Sequence, residues 1–289
     1  VERRSFQSSI VACAAPFAAL AIGCSAPVGD LPDAGSTQRL ALLEVRAEHA
    51  VVDGSLTRLD ASARFVSVRE PGLTADALHL LGLAWPSVPA GTCTAVTGEV
   101  ARPAAAVRVD LRDLSPVSLD LLGDDGVPSP LNLEPRAFPD VAGLVSGVVF
   151  VRPSSAPAIA SPRRVALAAA GSPATSFDLP EVPAVRLVDA LESDEGSFTV
   201  SSRGLELASA RPREGERVVV DVVRAGVVRS QCAVDGAGRL RIDASALGGA
   251  GEATLVVRAQ RRLQREDAQL GVVEARLERA VEVHARVAR

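Results

Sequence analysis

Leu43-Glu44-Val45-Arg46-Ala47-Glu48-His49-Ala50-Val51 alternates apolar and charged side chains through Glu48, with His49 and Val51 continuing the apolar set. Successive side chains of an extended chain point to opposite faces, so this period of two is that of a strand with one face buried. Asp53-Gly54 supplies a turn. Leu59, Ala61, Ala63, Phe65 and Ser67 repeat the period as the antiparallel partner.

Working outward, short apolar runs recur at strand length. They are Ala77–Leu83, Val107–Leu111, Val117–Leu122, Gly147–Val151 and Arg164–Ala168, punctuated by Gly123-Asp124-Asp125-Gly126 and Pro128-Ser129-Pro130. Residues 170–184, with Gly171, Pro173, Pro180 and Pro183, read as a domain junction. Beyond it come Phe198–Val200, Leu205–Leu207, the Val-rich Arg217–Arg224, its hairpin partner Val227–Val234, Arg239–Ile242, Glu252–Gln260 and Val272–Val287. In the last run Val273, Leu277, Val281 and Ala285 also fit a helix, whereas Val281, Val283 and Val287 favour a strand.

Many short strands with little helical period predict an all-β chain: two β-sandwich domains, residues 40–180 and 181–289, the second with the strand rhythm of an immunoglobulin-like sandwich. Residues 24–39 carry breakers and no period, as a flexible tether does.

The N-terminus carries an address. Arg3 and Arg4 precede an apolar run from about Ile10 to Ile22, too short to span a bilayer comfortably, followed by Gly23 and Cys24. The positive-inside rule keeps the arginines cytoplasmic, and small residues fit a peptidase cleft. The segment resembles a bacterial lipoprotein signal, residues 1–23. The resemblance implies cleavage between Gly23 and Cys24 and acylation of Cys24, with diacylglycerol and palmitate-type chains anchoring the mature chain to the lipid bilayer. An ordinary secretory signal and a retained helix are the alternatives; cleavage before Cys13 would leave too short an apolar run. Ser25 rather than Asp after the cysteine resembles the outer-membrane sorting pattern.

Composition narrows the chemistry. The 289 residues contain no Met and no Lys, a pattern expected of a GC-rich genome, and Val1 reads as a GTG start written literally. Without lysine there is neither a Schiff-base nor a P-loop lysine. Loss of residues 1–23 removes two of 31 basic and one of 35 acidic groups, moving the formal charge from −4 to −5. That argues against nucleic acid as a partner, since its recognition needs a concentrated positive field. Trp85 is the single Trp, which weakens a sugar-stacking reading. Of the cysteines left in the mature chain besides Cys24, Cys93 and Cys232 can pair in an oxidising compartment. Their places in different expected domains favour two separate buried thiols.

Two further segments carry a family resemblance. Pro135-Arg136-Ala137-Phe138-Pro139-Asp140-Val141 with Leu144–Phe150, and Cys232-Ala233-Val234-Asp235-Gly236-Ala237-Gly238-Arg239-Leu240-Arg241-Ile242, resemble uncharacterised β-sandwich lipoproteins of myxobacteria. That resemblance implies address and fold, and no activity.

Candidate site residues are few. His49 lies on an apolar face and His79 shares one with Ala77, Leu81 and Leu83, as structural histidines do; His284 sits with Glu282 and Arg286 on a charged face. No Gly-x-Ser-x-Gly elbow, His-x-x-x-His pair or Cys-x-x-Cys is present. Asp124-Asp125, with Asp30 and Asp33 elsewhere, suits a turn better than calcium. Arg258, Arg261, Arg262 and Arg265 among acidic neighbours read as a solvated strand or loop end, with contact to anionic lipid or polysaccharide as the sharper reading. The expectation is a non-catalytic binding or structural module of the cell envelope, lipid-anchored at the outer membrane, without catalytic residue, metal or cofactor. Its partner would be an envelope protein or polysaccharide. An envelope hydrolase or enzyme inhibitor with a dispersed loop site is the alternative.

Overall fold

Charged and apolar side chains alternate along one long hairpin, and that alternation organises the fold. In this computed structural model the described residues are 37–68, 77, 78, 81, 88–96, 108–123, 126–139, 144–154, 161–188, 190–192, 197–201 and 203–288. Gly23, Cys24, most of the expected tether, His79, Trp85, Asp124 and Asp125 lie outside them.

The first strands are β1 (Gln38–His49), β2 (Leu56–Val68), β3 (Cys93–Ala95), β4 (Val109–Leu111), β5 (Val117–Leu122), β6 (Pro128–Ala137), β7 (Val145–Val151), β8 (Arg164–Ala169) and β9 (Ser172–Asp178). The chain continues as β10 (Val185–Val188), β11 (Leu191–Glu192), β12 (Phe198–Val200), β13 (Gly204–Ser209), β14 (Glu216–Arg224), β15 (Val227–Ala233), β16 (Arg239–Asp243), a helical turn Ala244–Leu247, β17 (Gly251–Asp267) and β18 (Gly271–Val287). The protein is all-β. A large sheet runs β3-β15-β14-β17-β18-β1-β2-β4-β7-β6-β5-β8-β9, and β10-β13-β16 form a second sheet.

β17 and β18 are each 17 residues long, about 55 Å at the rise of an extended chain. Beside β17 on one flank, β18 pairs in parallel with β1 over Val272–Val281 and with β12 over Ala285–Val287 on the other. Its odd-numbered side chains serve two cores in succession. Val273, Ala275 and Leu277 join Leu43, Val45, Ala63 and Phe65 in the first core, together with Leu119, Leu167 and Phe177 from strands far along the sheet, so the sheet folds over on itself. Phe65 meets Phe150 edge-on at 5.7 Å, worth about 0.5–1.5 kcal/mol beyond burial. Val281, Val283, Ala285 and Val287 join the second core with Val220, Val222, Leu255 and Val257, and Leu205, Leu207, Leu240 and Ile242 of the second sheet close it from the far side.

On the opposite face of the sheet a set of charged and amide side chains is packed together. Gln231 donates to Asp221 (2.9 Å), Asp221 pairs with Arg258 (2.5 Å), Arg258 with Glu278 (3.5 Å), and Glu278 with Arg46 (3.3 Å). Glu274, whose side chain is 2% exposed, accepts from Arg262 (2.6 Å), Gln264 (2.8 Å) and Arg276 (2.7 Å). Burial raises the Glu274 pKa, but these donors together outweigh it and hold the carboxyl below its usual range.

Several expectations need correction. Cys93 and Cys232 form a disulfide, because β3 adds to the edge of β15 with the two cysteines directly opposite. Ala77 and Leu78 lie in a helical turn, not a strand, with the Leu81 N–H on the Ala77 carbonyl (3.1 Å); apolar residues at 77, 78 and 81 suit that period equally. Pro128-Ser129-Pro130, read as punctuation, begins β6. That strand pairs with β5 over 128–133 and with β7 over 134–137, so each half has one free flank where a proline loses no ladder bond. Residues 172–178 of the expected junction form β9, which hairpins with β8. The arginine run lies on a strand and is solvated only in part: Arg258 is enclosed in the charge ladder, whereas Arg262, which pairs with Glu274, and Arg265, 5.5 Å over the Phe177 ring, are exposed. The last run is a strand throughout, which settles the helix alternative.

Candidate functional site

Two strands break their apolar pattern at the same height. The core-facing side of β17 reads Leu255, Val257, Ala259, Arg261, Leu263, and that of β18 reads Ala275, Leu277, Arg279, Val281. Arg261 stands opposite Leu277 and Arg279 opposite Ala259, so the two arginines are diagonal neighbours, about 7–8 Å apart in such a ladder. The first core ends on β18 at Leu277 and the second begins at Val281. A cation therefore occupies each strand at the seam between them.

A cavity of about 700 Å³ opens there. Beside Arg261 and Arg279 it is lined by Leu122, Gly123 and Gly126 around the end of β5, by Arg163 and Arg164 at the start of β8, by residues 178–182 from the end of β9 onward, and by Arg213 ahead of β14. Backbone bonds hold these walls: Arg163 N–H to the Leu122 carbonyl (2.7 Å) and Leu179 N–H to the Arg163 carbonyl (2.9 Å).

Among the described residues the lining carries five guanidinium groups against two carboxylates, Asp178 and Glu181. Arg164 pairs with Asp178 (2.6 Å), Arg213 with Glu181, and the buried Arg279 donates to the Pro162 carbonyl. Arg261 differs. Among the described residues it makes no hydrogen bond and no ion pair, and its Nε is one of several buried arginine Nε atoms without an acceptor. A guanidinium keeps its charge at any physiological pH, so the cleft has positive charge to spare. The other side chains of the described lining are aliphatic, from Leu122, Leu179, Pro180 and Val182.

His49 faces Val281 across the β1–β18 pair, two residues from Arg279, and is 3% exposed. Its Nδ1 lies 3.0 Å from the Gly54 carbonyl, to which it donates in the neutral ring. Burial lowers its pKa, the Gly54 bond opposes that, and the Arg279 charge adds to the lowering; the net shift is downward. It locks the β1–β2 turn. His284 is exposed, with its Nδ1 3.3 Å from the Thr254 hydroxyl. Among the described residues no three His, Cys, Asp or Glu side chains are placed to hold a metal ion, and no helix is long and apolar enough to cross a membrane.

Sequence reasoning singled out Arg261 but missed Arg163, Arg164, Arg213 and Arg279. The signal for Arg279 was present: a charge at an odd position in a run of odd apolar residues.

No protein family and no curated protein matches the chain. Among solved structures, the Fcho1 Mu homology domain of Danio rerio with bound Eps15 peptide aligns over 88% of this chain and 97% of its own. At 10% identity and a TM-score of 0.24 that likeness carries no argument.

Proposed function

We propose that the protein is a non-catalytic binding module of the cell envelope, anchored through acylated Cys24 and presenting the seam cleft to an anionic partner. The carrying observation is the surplus of arginine over carboxylate in that cleft, with Arg261 buried in part and lacking an acceptor. An unpaired buried donor costs about 1–3 kcal/mol, more when charged, so a site that keeps one is suited to receive its acceptor from outside.

Two sandwich domains, the second immunoglobulin-like, are the finer reading of the architecture. The facing of β13 and β16 on β14 and β17 across one core supports it. The signal-like N-terminus and the resemblance to myxobacterial lipoproteins support an outer-membrane address. The hydrolase alternative draws nothing from His49, whose ring nitrogen is engaged with a backbone carbonyl inside a hairpin.

The test uses the full lipidated chain against envelope extracts. A bound component released by salt, and lost from an Arg261→Gln variant, is the expected result. Turnover of an envelope ester or peptide by the purified chain, unchanged by Arg261→Gln, would overturn the reading.

A further inference from the structure

We infer that the seam cleft is a phosphate-monoester site in which Arg261 is the recognition residue; this rests on the binding-module reading above and names its ligand class. Three observations point to a doubly charged, compact oxyanion. First, Arg261 and Arg279 project from diagonal positions on one face, so a single group seated between them can accept from both. A phosphate offers three acceptor oxygens and up to two charges, whereas a carboxylate offers two oxygens and one charge. Second, the acidic side chains of the described lining are already engaged, Asp178 by Arg164 and Glu181 by Arg213, rather than with Arg261. They also hold Arg164 and Arg213 at the rim, where a second charged oxygen of the ligand would meet cations rather than carboxylates.

Third, the rest of the wall decides what the phosphate is attached to. Leu122, Leu179, Pro180 and Val182 are aliphatic, and the described lining offers no ring to stack a nucleobase. The volume of about 700 Å³ suits a small organic molecule rather than a bare ion. The ligand is therefore a phosphorylated non-aromatic compound, taken either as a free sugar-type phosphate or as a phospholipid headgroup.

Titration of the full chain in neutral detergent with inorganic pyrophosphate, followed by calorimetry, tests the site. Expected are one saturable event per chain, weakening with salt, and a loss of at least tenfold in affinity in Arg261→Gln. Arg241→Gln, an exposed arginine outside the cleft, should bind as the unaltered chain does. Arg261→Leu should lose binding while melting no lower than the parent, because the side chain it removes has no internal acceptor; that separates recognition from folding. Displacement of pyrophosphate by glucose 1-phosphate identifies a free phosphate as the source, and preferential displacement by dihexanoyl phosphatidate identifies a headgroup. Absence of saturable binding at millimolar pyrophosphate, equal binding by Arg261→Gln, or displacement by neither ester would overturn the inference. A salt-released envelope component captured by a chain that ignores pyrophosphate would leave the binding-module reading standing and reject this site alone.

Discussion

Glu274 is the residue on which the charged sheet face depends, and its removal gives the sharpest stability prediction. Its carboxylate accepts from Arg262, Gln264 and Arg276 at 2.6–2.8 Å with the side chain 2% exposed. Glu274→Ala strips Arg276, itself 10% exposed on its side chain, of the anion that offsets its desolvation. Breaking such a buried pair from one side costs about 3–5 kcal/mol. For a chain of this size about 2–4 °C accompanies each kcal/mol, so the melting temperature should fall by roughly 6–20 °C. Denaturant titration should give the same loss at constant m. Replacing both partners, Glu274→Leu with Arg276→Leu, removes the buried cation as well and should recover most of the stability. A loss below about 1 kcal/mol for Glu274→Ala, or a double variant as unstable as the sum of the singles, would refute the argument that pairing sets the energetics of this face.

Cys93→Ser with Cys232→Ser should cost about 2–5 kcal/mol by releasing a loop of 139 residues in the unfolded chain, and reductant should lower the melting temperature of the parent but not of the variant. His49 titrates lower folded than unfolded, so the unfolded state binds more protons between the two pKa values. Stability is then complete above the ordinary histidine value and declines as pH falls through the depressed one; His49→Leu should remove that slope below the ordinary histidine value in pH-dependent melting. Glu274 titrates below the usual carboxylate value, so its contribution is present above that value and is lost on further acidification, a second slope that Glu274→Gln should abolish.

Strand parity made much of the fold legible. Leu43 to His49 against Leu59 to Phe65, Val117–Leu122, Phe198–Val200 and the Val-rich hairpin around Ala225-Gly226 all fall where alternation places them. Alternation does not report the partner of a strand. It could not show that β18 lies parallel to β1, that β3 reaches β15 across 139 residues, or that one hairpin feeds two cores. It also hides exceptions whose cause is tertiary: three prolines sit in β6 because its two halves pair on opposite flanks. The cleft was half legible for the same reason. Arg261 appeared only as one of a run of arginines. Separating it from Arg258 and Arg262 required knowing that odd positions on β17 face the cores and even ones the charge ladder.

The central claim, that this β scaffold is a binding module held on a membrane, is tested most directly by mass spectrometry of the N-terminal peptide of the mature protein. The account predicts a chain beginning at Cys24 and carrying diacylglycerol on its sulfur. An unmodified N-terminus downstream of Cys24 would contradict it.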